Sequence, residues 1–289
     1  MSARLLTGLP VAKKLRADTA RNIKELAGTG VVPKLAVVLA TDNESTAWYV
    51  RSIVRQAAEA AVHCDVVDLG ADAEQWQLQE ALEALALDHT VHGIILQTPL
   101  PAGVDAAASA ALIPVHKDID GANPESLGRL AAGLPAYAAT TAQAAVEVLE
   151  HYQVPLAGEH VTVIGRSMVV GKPLAQLLLA RDATVTTCHS RTRDLASHTK
   201  ASSVVVVAAG RTGLLTGADL NEDSVVVDVG TNVDEAGRLI GDVHTDSVLP
   251  VARALSPVPG GVGTVTTSLL MLRTSQAALE SLVASAQPA

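Results

Sequence analysis

The stretch VTVIGRSMVVGKPLAQLLL at positions 161–179 decides the fold, because it joins a β-branched run, a turn and an apolar helical pattern. The run VTVIG ends at Gly165, and a second glycine, Gly171, opens the helix. Glycines let a backbone approach a pyrophosphate, and a helix N-terminus offers it oriented N–H groups. The spacing is GxxxxxG rather than GxGxxG, so an ordinary turn is the alternative. The position at a strand–helix crossover favours a dinucleotide site.

Runs similar to VTVIG recur on both sides of this stretch. They are LAVVLA (35–40), HGIILQ (92–97), ATVTTC (183–188), SVVVVAA (203–209) and SVVVDVG (224–230). Ala- and Leu-rich segments with helical spacing alternate with them, at 11–26, 44–61, 73–87, 142–151, 171–180 and 263–284. Continuous apolar runs are typical of parallel strands covered on both faces, and repeated strand–helix–strand units predict a doubly wound α/β fold.

The alternation is interrupted once, between positions 99 and 137, where prolines and glycines predict loops. We interpret this segment as the region between two α/β domains. The length of 289 residues agrees with two domains, since about 100–200 residues per domain is usual.

Composition excludes several classes of function. The chain has no Phe, two Trp and three Tyr, and its formal net charge is −9. Binding to single-stranded nucleic acid depends on aromatic platforms and a basic surface, so no nucleic-acid partner is expected. The two cysteines, Cys64 and Cys188, lack the spacing of a metal site, and no metal is predicted. No signal peptide or membrane span is recognised, which favours a cytoplasmic protein.

The segment CHSRT at 188–192 bears on the choice of dinucleotide. NAD-preferring Rossmann domains usually place an acidic residue here, on the ribose hydroxyls. This chain has Ser190 and Arg191 instead, and Arg166 lies in the glycine turn. Arginine and serine suit a 2′-phosphate, so NADP is favoured over NAD. The alternative is that both arginines are ordinary solvated charges.

An ordered set of motifs resembles the methylenetetrahydrofolate dehydrogenase/cyclohydrolase family. The matching stretches are LAVVLATDNESTAWYV, GIILQTPLP, KDIDGANPESLGRL, VIGRSMVVGKP, ATVTTCHSRT, VVVDVGTN, GDV and PVPGGVGTVT. The resemblance implies two α/β domains with a cleft between them, in which a folate meets a nicotinamide. It also implies a homodimer. By this resemblance, residues 1–138 plus 267–289 form the folate-binding catalytic domain, and residues 139–266 form the Rossmann-like NADP-binding domain.

The resemblance also implies site residues. Tyr49, Gln97 and Asp120 map onto the family's catalytic and folate-binding positions. A tyrosine ring can stack on a pterin, a strand-end amide projects at the sheet edge, and a carboxylate accepts two hydrogen bonds from a forked donor. Further substrate-binding positions are Pro259, Gly260 and Gly261. The expected cofactor-binding positions are Gly165, Arg166, Ser167, Gly171, Ser190, Arg191 and Thr231.

One position departs from the family pattern. The family has a catalytic lysine four residues after the tyrosine, one helical turn later, and here that position is Ile53. Isoleucine carries no proton, and the neighbouring cations, Arg51 and Arg55, are poor bases. Hydride removal needs mainly orientation, whereas cyclohydrolysis needs proton transfers, to which a general acid–base contributes about 100–10,000-fold. We therefore expect an NADP-dependent dehydrogenase with weak or absent cyclohydrolase activity.

Three alternatives stay open. The chain could be the full bifunctional enzyme, with another group or a water chain in place of the lysine. It could be a paralogue that binds folate or nucleotide without turnover. It could also be a Rossmann dehydrogenase that acts on a substrate other than folate.

Overall fold

The computed structural model describes residues 2–286. Its strands are β1 (Arg4–Leu5), β2 (Lys34–Leu39), β3 (His63–Asp68), β4 (Gly93–Leu96), β5 (His160–Ile164), β6 (Thr184–Cys188), β7 (Val204–Val207), β8 (Val225–Asp228), β9 (Asn232–Val233), β10 (Leu239–Ile240) and β11 (Ala254–Ser256). Each of the predicted strands is confirmed.

The helices fall mostly where the helical spacing predicts them. They are α1 (Gly8–Leu26), α2 (Glu44–Glu59), α3 (Gln75–Leu87), α4 (Ala106–Ala110), α5 (Pro124–Ala131), α6 (Thr140–His151), α7 (Gly171–Leu179), α8 (Leu195–Lys200), α9 (Thr245–Val248) and α10 (Gly263–Ala286). Within the described residues, no helix is both long enough and apolar enough to cross a membrane.

The chain divides into two compact units. The first unit consists of Lys14–Ala138 and the chain from Thr267 onward. It holds a parallel three-stranded sheet in the order β3-β2-β4, as far as the described chain shows. Apart from Lys34 at the start of β2, the residues of β2 and β4 are apolar and buried, because both faces of these strands are covered by apolar side chains.

The second unit consists of the chain up to Lys13 together with Ala139–Thr266. Among described residues its main sheet has six parallel strands in the order β1-β11-β8-β7-β5-β6. From β5 the chain first adds β6 on one side and then β7 and β8 on the other side, and this reversal of strand order is the pattern of doubly wound α/β folds. A short antiparallel pair, β9 with β10, lies outside it. The predicted α/β class, with parallel sheets and a Rossmann-like second unit, is confirmed.

Two expectations about organisation differ from the structure. The N-terminal residues were expected in the first domain, but β1 pairs in parallel with β11 and so belongs to the second unit. The segment 99–137, interpreted as a region between domains, lies inside the first unit and forms α4 and α5. Both differences arise from contacts between residues far apart in sequence, which local patterns do not encode.

Candidate functional site

The turn between β5 and α7 is built so tightly that only glycine fits at its two ends. Gly165 has a φ of +132°, and a Cβ there would lie 2.2 Å from the carbonyl oxygen of Ala208. A Cβ on Gly171 would lie 2.2 Å from the carbonyl oxygen of Gly165. The turn therefore closes on itself and brings the N-terminus of α7 to the carboxyl edge of the sheet. A backbone without side chains at a helix N-terminus leaves its N–H groups open to the phosphates of a dinucleotide.

The residues inside this turn face solvent. Arg166 and Ser167 are exposed, and the Ser167 hydroxyl accepts a hydrogen bond from the Val170 N–H at 3.2 Å. The Lys172 N–H donates to the Ser167 carbonyl at 3.0 Å. These bonds hold the turn in one shape while the Arg166 side chain remains accessible.

The turn after β6 lies beside the glycine turn, because the Gly165 N–H donates to the Cys188 carbonyl at 2.9 Å. The backbone is held by two local bonds, from the His189 N–H to the Thr192 hydroxyl at 2.9 Å and from the Arg191 N–H to His189 Nδ1 at 3.1 Å. Ser190 and Arg191 are exposed. The turn thus presents a hydroxyl and a guanidinium at the sheet edge.

The first acidic residue after β6 is Asp194, and its carboxylate already accepts a hydrogen bond from the chain's own backbone. It accepts the Ser197 N–H at 3.3 Å and caps the N-terminus of α8. The remaining predicted cofactor residue, Thr231, is exposed and follows β8, two strands away from β5 in the sheet. The structure therefore places all seven predicted cofactor-binding residues at the carboxyl ends of β5, β6 and β8.

In the first unit, Tyr49 lies on α2, whose N-terminus is capped by Asn43. The Asn43 side-chain oxygen accepts the backbone N–H groups of Ser45 and Thr46 at 3.0 and 3.1 Å. Thr46, one turn before the tyrosine, approaches the segment after β4 through a 3.4 Å hydrogen bond to the Thr98 carbonyl. Helix α2 is therefore anchored next to the loop that follows Gln97.

One apolar cluster brings the three predicted folate residues into the same neighbourhood. Tyr49 is half-buried against this cluster, whose members include Ile95 and Ile119. Ile95 precedes Gln97 by two residues, and Ile119 directly precedes Asp120. Gln97 is 9% exposed and Asp120 is half-buried. Their packing shows a common location in the first unit; their chemical roles stay predictions.

The same cluster contains Ile53, which is fully buried. It packs among apolar side chains such as Leu35, Val37 and Met271. Arg51 and Arg55, the neighbouring cations, are exposed. The position one turn after Tyr49 therefore lies in the hydrophobic core, and its side chain supplies no proton.

Sequence reasoning missed Asp118, the first acidic residue of the KDIDG motif. Its carboxylate is fully buried and accepts the backbone N–H groups of Ala122 and Asn123 at 2.9 Å and the Ser126 hydroxyl at 2.6 Å. Burial raises the pKa of Asp118 to about 6. The carboxylate shapes the turn that carries Asp120. The only available signal was the doubled aspartate of the motif.

We expect Asp118 to make stability depend on pH. Its folded pKa of about 6 lies above the ordinary value of 3.8, so its contribution to the unfolding free energy is present below pH 4 and is lost as the pH rises through 6. The loss should be on the order of 2–3 kcal/mol. Urea unfolding at pH 4 to 7 measures it as the difference between the wild type and Asp118→Asn. A constant difference across this range would contradict the assignment.

Arg273, on α10, is a second residue that sequence reasoning did not identify. It is 5% exposed and donates from Nη1 to the carbonyls of Ile119 at 2.8 Å and Ala138 at 2.7 Å. Its guanidinium also lies 5.5 Å from the centre of the Tyr137 ring. The arginine thus fixes the backbone next to Asp120. Its distance in sequence, 154 residues from Ile119, left no local signal.

The predicted substrate residues of the PVPGG segment belong to the second unit, in the loop between β11 and α10. Pro259 follows a cis peptide bond, and Gly260 has a φ of +101°. The Gly8 N–H donates to the Gly260 carbonyl at 2.8 Å, and a Cβ on Gly8 would lie 2.1 Å from the Gly261 carbonyl oxygen. The N-terminal end of α1 therefore supports this loop.

No group of three or more His, Cys, Asp or Glu side chains that could hold a metal ion occurs in the described chain. The candidate sites offer backbone N–H groups, hydroxyls and guanidinium groups as hydrogen-bond donors and carboxylates as acceptors. This set suits an anionic dinucleotide in the second unit and a hydrogen-bonding ring system in the first.

Comparisons with known proteins identify the same family for both parts of the chain. The tetrahydrofolate dehydrogenase/cyclohydrolase catalytic-domain model matches residues 6–120, and the NAD(P)-binding-domain model of the same family matches residues 139–282. The bifunctional protein FolD of Arthrobacter globiformis is 55% identical over 288 residues, which cover 100% of this chain and 99% of the relative.

Solved structures give the same result. The bifunctional FolD methylenetetrahydrofolate dehydrogenase/cyclohydrolase of Campylobacter jejuni superposes with a TM-score of 0.94 at 33% identity, over 96% of this chain and 99% of that one. The Trypanosoma brucei dehydrogenase-cyclohydrolase, solved with NADP cofactor and an inhibitor, has a TM-score of 0.91 at 33% identity, over 98% and 99% of the two chains. This chain therefore belongs to the tetrahydrofolate dehydrogenase/cyclohydrolase family, with both its catalytic and its NAD(P)-binding domain.

Proposed function

We propose that this chain oxidises 5,10-methylenetetrahydrofolate to 5,10-methenyltetrahydrofolate with NADP as the acceptor. The observation that carries the choice of NADP is the exposed set of Arg166, Ser190 and Arg191 at the ends of β5 and β6, where the first carboxylate, Asp194, is used as a helix cap. The NADP bound to the Trypanosoma brucei relative supports the same choice.

In this reaction the residues of the chain bind the dinucleotide and the folate and orient them toward each other. Backbone N–H groups around Gly165 and Gly171 would hold the pyrophosphate, and the two arginines would hold the 2′-phosphate. When bound, NADP supplies the acceptor for a hydride. Tyr49 would stack on the pterin and Asp120 would accept hydrogen bonds from its amide–amidine edge. The folate nitrogen next to the methylene carbon supplies the electron pair as the hydride leaves, so this step needs no proton carrier from the protein.

The test is an assay with purified chain, methylenetetrahydrofolate and either NADP or NAD. The proposal expects reduced cofactor in an amount equal to the sum of methenyl- and 10-formyltetrahydrofolate formed, with the higher kcat/KM for NADP. Preference for NAD would contradict the assignment of the arginines. Saturable folate binding without reduced cofactor would favour a non-catalytic paralogue, and no binding of tetrahydrofolates would favour a different substrate.

For the second step, we propose that the chain also hydrolyses the methenyl product to 10-formyltetrahydrofolate. The support is the 55% identical relative, which is named a bifunctional protein and which this chain matches over its full length. This finding favours the bifunctional alternative over the expectation of weak or absent cyclohydrolase. Conversion of methenyltetrahydrofolate above the rate in buffer is the measurement that tests it.

A dehydrogenase with weak cyclohydrolase activity is the second candidate, and the buried Ile53 is the observation that favours it. This candidate predicts that Ile53→Lys raises the ratio of cyclohydrolase to dehydrogenase rate by about 100-fold or more, since a general acid–base group contributes about 100–10,000-fold. A lysine can pack its aliphatic stem among apolar side chains while its ammonium extends to a polar environment. Both rates are measured separately on the same preparation.

Ile53→Met is the matched control, because methionine has a similar volume and carries no proton. The ratio of cyclohydrolase to dehydrogenase rate in Ile53→Met should equal that of the wild type. The dehydrogenase rate of each variant reports how much of the protein is folded. An unchanged ratio in Ile53→Lys would contradict the second candidate and leave the bifunctional proposal with another proton carrier.

We also propose, from the family resemblance, that the protein is a cytoplasmic homodimer. Sedimentation equilibrium on the full chain would measure its mass against the 29.7 kDa of one copy. A monomer at micromolar concentration would contradict the proposal.

A further inference from the structure

Two fully buried aspartates lie at the carboxyl edge of the second unit's sheet, and the proposed reaction assigns them no role. Asp228 is the last residue of β8, and Asp242 follows β10 in the GDV motif. They are 2% and 0% exposed. A buried carboxylate is costly unless hydrogen bonds compensate for the lost water, so each one calls for a structural reason.

Asp242 is compensated by a set of N–H donors that come mainly from one loop. Its Oδ2 accepts the N–H groups of Ala209 at 2.6 Å and Gly210 at 2.9 Å, and its Oδ1 accepts that of Arg211 at 2.7 Å. The Asn232 side chain adds a fourth hydrogen bond to Oδ1 at 2.8 Å. One carboxylate thus binds three successive backbone N–H groups of the loop after β7.

Asp228 holds the segment that carries Asp242. Its Oδ1 accepts the N–H groups of Gly230 at 2.9 Å and Asp242 at 3.0 Å, and its Oδ2 accepts that of Val243 at 3.0 Å. A Cβ on Gly241 would lie 1.8 Å from this Oδ2, which explains the glycine of the GDV motif. Burial raises the pKa of Asp228. The backbone of Asp242 is therefore held by Asp228, while its side chain is held by the loop after β7.

The loop that Asp242 binds is in direct contact with the proposed dinucleotide site. Ala208 begins this loop, and its carbonyl oxygen is the atom that leaves no space for a side chain on Gly165. On the other side, a Cβ on Gly230, which precedes Thr231, would lie 2.4 Å from the Asp242 N. Asp242 consequently links the glycine turn after β5 to the end of β8, across β7, the strand that lies between them.

We propose that Asp242 is a positioning residue for the dinucleotide: its carboxylate fixes the loop 208–211 against the glycine turn and so sets the affinity for NADP. The inference rests on the proposed function of this site. Asp242 would not itself touch the cofactor. It acts through the backbone that forms one wall of the site.

The test is Asp242→Asn in the full chain. The amide keeps the size of the carboxylate but turns one acceptor into a donor that faces N–H groups, which breaks at least one hydrogen bond to a charged group. We expect the KM for NADP and the Kd for NADPH, measured by fluorescence titration, to rise about 10-fold or more. The KM for methylenetetrahydrofolate should stay within about 2-fold, a split that a general loss of folded protein would not produce. Asp223→Asn, at an exposed aspartate of the same unit, is the control, and its KM values and its Kd for NADPH should equal those of the wild type.

Two results would overturn the inference. One is an unchanged Kd for NADPH in Asp242→Asn, and the other is an equal rise in both KM values. If Asp242→Asn does not fold, Asn232→Ala removes a single donor from Oδ1 and should raise the Kd by a smaller factor; no rise would also overturn it. Failure of the proposed function would show instead in the wild type, as absence of methylenetetrahydrofolate-dependent NADPH formation.

Discussion

Replacing Gly171 with alanine is expected to lower kcat/KM for NADP by about 100-fold or more, because a displacement of about 1 Å at a binding site has an effect of this size. The added Cβ would lie 2.2 Å from the Gly165 carbonyl oxygen and 2.7 Å from the Arg166 N. Both are backbone atoms, so the turn must open. Opening it moves the N–H groups and Arg166 away from the proposed phosphate positions. Steady-state kinetics with varied NADP measure the effect.

Gly128→Ala is the matched control. Gly128 lies in α5, and a Cβ there would have no atom within 4 Å. Alanine favours the helix over glycine by about 0.5–1 kcal/mol, so this variant should be as stable as the wild type or more stable, with unchanged kinetics. Wild-type kcat/KM in Gly171→Ala would show that the turn does not bind the cofactor.

Replacing Arg273 with methionine is expected to lower the unfolding free energy by about 3 kcal/mol or more, since each buried carbonyl without a partner costs about 1–3 kcal/mol. The substitution removes the donor shared by the carbonyls of Ile119 and Ala138. Because Ile119 precedes Asp120, the KM for methylenetetrahydrofolate should rise as well. Urea unfolding and folate-dependent kinetics measure the two effects.

Arg253→Met is the control for the loss of a guanidinium, because Arg253 is exposed. Surface substitutions usually change stability by less than about 0.5 kcal/mol. A change of that size in Arg273→Met would show that water or another donor satisfies both carbonyls. A stability loss with an unchanged KM would show that the arginine supports the fold but not the position of Asp120.

The local part of the candidate sites was predictable from sequence. The glycine pair of 161–179, the hydroxyl and guanidinium after β6, and the tyrosine on α2 each depend on residue type and on a spacing of one turn or less. Elements of this kind are encoded locally, because strand and helix periodicities and glycine turns involve neighbours in the chain. The family resemblance then added the roles, which no periodicity contains.

The supporting contacts were not predictable, because their partners are distant in sequence. The Asp242 carboxylate lies 31 to 33 residues from the N–H groups it accepts, and the Arg273 donor lies 135 and 154 residues from its carbonyls. A buried polar side chain must find a partner, but the sequence does not state which one. The same holds for β1, whose pairing with β11 places the N-terminal residues in the second unit.

The sequence by itself predicted the α/β class, the six strands β2 and β4 to β8, and the residues of the two candidate sites, and it showed the isoleucine at position 53. The tertiary structure decided that Ile53 is a core residue, that Asp118 and Arg273 hold the backbone on either side of Asp120, and that Asp242 binds the loop 208–211 next to Gly165. The physical reason is that secondary structure follows from local backbone and side-chain preferences, whereas burial and the pairing of buried charges exist only after distant segments have packed together.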